Sequence, residues 1–188
     1  MKRITSTIAA SLLFVGCGSS GTNTTEATVQ TGYLVDSAVA NADYDCISDG
    51  EMNKTTASDG AFQCQDMSRV RFRIGKLILG EINHLPTDGY VFPQTLINVP
   101  IEDINDTRVI ELAQLLQSLD ADRNVTNGIQ IPDAVKEAMP DDNFESIDDA
   151  ETILDELDAE MVHTRTEDEA RENTTEYSYQ YKCITYRQ

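Results

Sequence analysis

Asp120, Asp122 and Asn124 put oxygen-bearing side chains at alternate positions of one short segment, LDADRNVTNGIQI at residues 119–131. Such alternation lets a tight loop turn several oxygens onto one cation, as a hard ion such as Ca2+ requires. The Thr126 backbone carbonyl supplies a further oxygen, and Asp133, just beyond the loop, is a candidate to swing in. Calcium is therefore the one cofactor the sequence suggests. The same Asp, Asn and Gly content also describes a plain turn between two helices.

In an EF-hand numbering, Asp120, Asp122 and Asn124 take positions 1, 3 and 5, and Thr126 takes position 7. Val125 stands where that loop has Gly, and Ile131 where it has a bidentate Glu, so a site here is weak or non-standard. A second chemical feature is basic. Arg69, Arg71 and Arg73 share one face of an expected strand, with Lys76 beyond. They form either a docking face for an acidic partner or an internal counter-charge to the acidic second half. No GxSxG, HExxH, P-loop or GxGxxG motif occurs. His84 and His163 have no nucleophile at a recognisable spacing, so a hydrolase would need a pocket uniting one of them with carboxylates.

The elements that must position these residues fall into two halves. Residues 28–82 run in period two: Val29, Thr31, Tyr33 and Val35 alternate with other residues, as do Val70, Phe72 and Ile74. Asp49-Gly50, Asp59-Gly60 and Gly75 punctuate the runs, which predicts antiparallel strands joined by tight turns. Beyond residue 99 the period becomes helical. Asn105 or Asp106 caps a helix to about Leu119, with Val109, Leu112, Ala113, Leu116 and Leu119 as its apolar stripe. A short helix is expected at 134–139 after Pro132. Ser146 and Asp149 form a capping-box pattern before a stripe of Ile147, Ala150, Leu154, Leu157 and Met161. A last short helix is expected at 166–172. In the tail, Tyr177, Tyr179, Tyr181 and Cys183 alternate with polar residues, which predicts a final strand over 177–188 or an exposed contact strip.

The start of the chain reads as an address. Lys2 and Arg3 precede an apolar run at 8–15 that is too short to span a bilayer. The run ends LFVGC at 13–17, which resembles the lipobox of bacterial lipoproteins, where the leader is cut before a cysteine that receives lipid. Gly16 is the small residue this needs before the cut. Phe14 departs from the aliphatic residue usual three places before the cysteine. The resemblance implies a signal peptide at 1–16, lipidation at Cys17, attachment to the membrane through that anchor, and, with Gly18 rather than Asp following, an outer-membrane address. A plain secretory leader is the alternative. Residues 17–27 are rich in Ser, Thr and Gly and read as a tether. Export implies an oxidising compartment, so Cys46 and Cys64 are expected to pair, closing a loop worth about 3 kcal/mol. Pairing of either with Cys183 is the competitor. Zinc is the weaker use, because no CxxC spacing occurs.

GYLVDSAV at 32–39, TASDGAF at 56–62 and Val70-Arg71-Phe72 resemble carboxypeptidase-regulatory-like, transthyretin-like β-sandwich modules. VRFRIGKLILG at 70–80, followed by a helix and the 119–131 loop, resembles largely uncharacterised lipoproteins of Gram-negative bacteria. The resemblance implies an α+β fold: a small antiparallel, Ig- or transthyretin-like sandwich at 28–98, then an acidic helical subdomain at 99–176. Charge bounds the partners. The 188 residues hold Lys+Arg 14 against Asp+Glu 33, a net charge of -19. Loss of residues 1–16 takes Lys2 and Arg3 with it and leaves -21. Residues 133–176 hold 17 acidic side chains against Lys136, Arg165 and Arg171. Such a chain does not bind nucleic acid by neutralising phosphates. The expected function is a non-catalytic envelope or surface module for adhesion, assembly or ligand binding. An alternative is a subunit of a larger envelope complex, docked through the arginine strand or the tyrosine tail.

Overall fold

The structure, a computed structural model, describes residues 28–144, 150–157 and 162–185, with side chains as far as Glu176. The leader, the tether and Cys17 lie outside the described residues, as do Ser146, Ile147, Asp149 and Met161. Among the described residues the fold is mixed α+β, with several sheets and five helices.

Two sheets carry the first half. In one, β1 (Gln30–Leu34) lies between β5 (Ala61–Cys64) and β8 (Tyr90–Val91). In the other the order is β4 (Glu51–Thr55), β3 (Asp43–Cys46), β6 (Val70–Ile74), β7 (Leu77–Ile82). The period-two pattern works as expected in β6, where Val70, Phe72 and Ile74 are buried and Arg71 and Arg73 are half-buried. Phe62 of β5 packs edge-on against Phe72 of β6 at 4.9 Å and Tyr44 of β3 at 5.8 Å, which joins the two sheets. Burying each such ring contributes roughly 2 kcal/mol. The Cys46–Cys64 disulfide ties β3 to β5 beside this cluster, with Cα atoms 5.7 Å apart. The Asp59-Gly60 turn leads into β5. Gly60 has φ +78°, and a Cβ there would run into the Leu34 carbonyl oxygen, so both handedness and space demand glycine.

Not every pairing is antiparallel. β1 runs parallel to β8, and β2 (Val39–Ala40) runs parallel to β9 (Ile129–Gln130) from the second half. Parallel partners need a long crossover, and the intervening elements supply it. The core does not break at residue 98: one buried cluster runs from Leu34 in β1 to Val162.

The helices are α1 (Pro93–Ile97), α2 (Thr107–Ser118), α3 (Asp133–Ala138), α4 (Ala150–Glu156) and α5 (Glu167–Thr185). Asp106 caps α2 by accepting from the Arg108 N–H, as the sequence predicts. α2 is buried beyond its apolar stripe, since α1, α4 and α5 all pack on it. The expected strand at 177–188 is corrected: the backbone is helical to Thr185. A reciprocal cap starts this helix, with the Glu169 N–H donating to Thr166 Oγ1 and the Thr166 N–H to Glu169 Oε2. Once nucleated, each further residue adds a backbone bond without a new nucleation cost, and this outweighs the alternation of the tyrosines.

Candidate functional site

The 120–127 loop leaves the C-terminus of α2 and returns as β9. Asp120 is 3% exposed. Its Oδ1 accepts the Gln130 N–H at 3.0 Å, which holds the loop closed at its base. Its Oδ2 is buried without a hydrogen-bond donor among the described residues, and the Asp122 carboxylate interacts with the same side chain. Burial first, and Asp122 in addition, push the Asp120 carboxyl above its ordinary range. Asp122 is lowered, because Asn127 Nδ2 donates to it at 2.8 Å and the Asn124 N–H at 2.9 Å. Asn124 Oδ1 accepts from the Thr126 hydroxyl at 2.7 Å. Arg123 sits at φ +64°, a conformation that favours glycine. Its carbonyl accepts from Arg165, which fastens the loop to the segment before α5.

Asp120 and Asp122 interact within this loop, while Asn124 and Thr126 bond to one another. Asp133 does not join them. Its Oδ1 accepts from Asn41 Nδ2 at 2.8 Å, because Pro132 starts α3 and aims the first turn at the segment after β2. The donor chemistry suits a hard cation at Asp120 and Asp122, but Asp122 and Asn124 also serve the loop's own N–H and O–H donors. Among the described residues, the group that gathers three metal-type side chains within 4.8 Å is Cys46, Asp49 and Cys64. Its sulfurs are joined as a disulfide, so no thiolate remains to bind metal. Asp49 there accepts the Gln65 and Asp66 N–H groups and clasps a turn.

Each arginine of the face finds a carboxylate within its own sheet, though two of them share one. Arg69 and Arg71 both donate to Glu81 of β7, at 2.8 and 2.6 Å. Arg73 forks onto Asp45 of β3, a residue 2% exposed, at 2.9 and 3.0 Å. Burial opposes the charge on Asp45, but Arg73 outweighs it and the carboxyl lies below its ordinary range. Antiparallel register explains these partners, since Arg71 stands opposite Glu81 and Asp45 lies one strand away. The counter-charge expected from the acidic helices comes instead from neighbouring strands.

One polar cluster has no signature in the sequence. Asp36, in the turn after β1, is 1% exposed. Thr174 Oγ1 of α5 approaches its Oδ1 at 2.6 Å, and Gln117 Nε2 of α2 donates to its Oδ2 at 2.8 Å. Asn173 Nδ2 donates to the Asp36 carbonyl at 2.7 Å. Burial pushes the carboxyl up to about 7 despite these bonds. A pocket of about 400 Å3 lies at the edge of β7, lined among others by Arg71, Glu81, His84, Leu96 and Asn98. In comparisons with known proteins, the chain matches no family model, no curated protein and no solved structure.

Proposed function

We propose that this chain is a lipid-anchored, non-catalytic module of the Gram-negative envelope, used for adhesion, assembly or ligand binding and stabilised by calcium in the 120–127 loop. The buried Oδ2 of Asp120, which makes no direct hydrogen bond and lies beside the Asp122 carboxylate, carries the calcium part. Two carboxylates facing one another in a partly dry site repel, and a divalent cation between them relieves both the repulsion and the missing bond. The LFVGC phrase at 13–17 supports the anchor at Cys17, and the disulfide agrees with an oxidising compartment. The sheets β5-β1-β8 and β4-β3-β6-β7, joined through Phe62 and the disulfide, support a small transthyretin-like sandwich as the platform.

Calorimetric melting with calcium or chelator tests the loop. Millimolar calcium should raise the Tm of the wild type, and Asp120→Asn with Asp122→Asn should abolish the rise without unfolding the protein. A wild-type Tm indifferent to calcium removes the ion from the proposal. Incorporation of labelled palmitate into the wild type but not into Cys17→Ala tests the anchor separately.

A further inference from the structure

We infer that the pocket at the edge of β7 is a binding site for a small organic oxyanion, a carboxylate or phosphate ester carrying hydroxyl groups. The site is distinct from the 120–127 loop and does not depend on it.

The walls come from three places. β6 and β7 contribute Arg71, Glu81 and Ile82; α1 and its cap contribute Leu96 and Asn98; the turn after β7 contributes His84. β7 is an edge strand, so among the described residues no further strand of its sheet covers this side. The Ile78 N–H donates to the Asp142 carbonyl at 2.9 Å, which closes one end of the edge. Gly80 lets α1 approach: a Cβ there would lie 2.8 Å from the Leu96 carbonyl oxygen. The volume of about 400 Å3 falls in the range of small-ligand sites.

Charge selects the ligand. Glu81 is a single carboxylate held by two guanidinium groups. Only Arg71 and Glu81 of this group line the pocket, and Arg69 stands outside the lining, so the Arg69–Glu81–Arg71 group carries one net positive charge beside the pocket in a chain whose net charge is -19. Arg71 uses Nε and Nη2 on Glu81, so the edge carrying Nη1 stays open to a second oxyanion. Glu81 is a poor proton acceptor here. Burial would raise its carboxyl, but Arg69 and Arg71 hold it below the ordinary range. Asn98 and His84 offer hydrogen-bond partners for hydroxyl groups, and Ile82, Leu96 and Pro86 add aliphatic surface to the lining. Among the described residues no Phe, Tyr or Trp ring lines the pocket, which removes the broad stacking surface a flat base or aromatic ligand would use.

The test uses the full chain, labelled with 15N, and three probes: glucuronate, glucose 6-phosphate and glucose. At least one anion should shift the Arg71 Nε–H and Asn98 side-chain resonances saturably, with glucose much weaker. Which anion does so distinguishes carboxylate from phosphate. Asn98→Asp keeps a residue type that tolerates φ +60° but adds a negative charge to the pocket lining, and should weaken binding by about tenfold or more. Its Tm should stay near that of the wild type, which separates lost binding from lost folding. The inference is overturned if neither anion shifts these resonances up to roughly 50 mM, beyond the weak end of specific binding. Arg71 Nε–H shifts of equal size and affinity in Asn98→Asp, or with glucose, overturn it as well.

Discussion

Replacing Asp36 by asparagine should stabilise this protein in mildly alkaline solution and leave it almost unchanged in acid. The Thr174 hydroxyl has one proton but faces two acceptors, Asp36 Oδ1 at 2.6 Å and the Ala170 carbonyl at 3.0 Å. A protonated Asp36 resolves this: its O–H donates to Thr174 Oγ1, and Thr174 donates to Ala170. An ionised Asp36 leaves one of the two acceptors without a proton in a buried site. Burial outweighs the Thr174 and Gln117 hydrogen bonds, which favour the charged form, and lifts the folded pKa to about 7 against 3.8 for an unperturbed group. A raised folded pKa stabilises fully below the unfolded value, and that stability is lost as pH rises through the folded one. Between pH 4 and 8 the loss is about 4 kcal/mol. The substituted amide mimics the neutral form, with its Nδ2 donating to Thr174 and its Oδ1 accepting from Gln117. Thermal melts of both proteins from pH 4.5 to 8.5 give the difference directly. The mutant's advantage should grow from about pH 4 to 7 and level off above, reaching roughly 10 °C in Tm for a chain of this size. A Tm difference that does not vary with pH would refute a neutral Asp36.

Further outcomes follow from the covalent and backbone constraints. Cys46→Ser with Cys64→Ser should lower stability by about 3 kcal/mol, measured by urea denaturation, because the bond closes a loop with sequence separation 18. Gly60→Ala should cost more than about 1 kcal/mol by the same assay, since the new Cβ meets the Leu34 oxygen and the φ is left-handed. With the calcium melts and the oxyanion titration, these measurements address the disulfide, the turn, the loop and the pocket independently.

What the sequence determined is mostly local. Period-two burial in β6, the Asp106 cap and stripe of α2, the Asp59-Gly60 turn, and the alternate oxygens of the 120–127 loop all depend on neighbours within a few residues. The Cys46–Cys64 pairing was readable because both cysteines flank the same turns. Asp133 fails for a local reason as well: the helix started by Pro132 turns its carboxylate to Asn41. The tail shows the limit of periodicity, because a run of alternating tyrosines satisfies a strand pattern while the cap at Thr166 nucleates a helix through it. Other features were decided by tertiary structure alone. Asp36 meets Gln117 and Thr174 across separations of 81 and 138 residues. The pocket exists only because β7 ends its sheet beside α1. Arg69 and Arg71 share Glu81, and Arg73 finds Asp45, because strand register sets which charges face each other. Contacts of this kind depend on how distant segments come together in space, and residue order along one chain does not encode that distance.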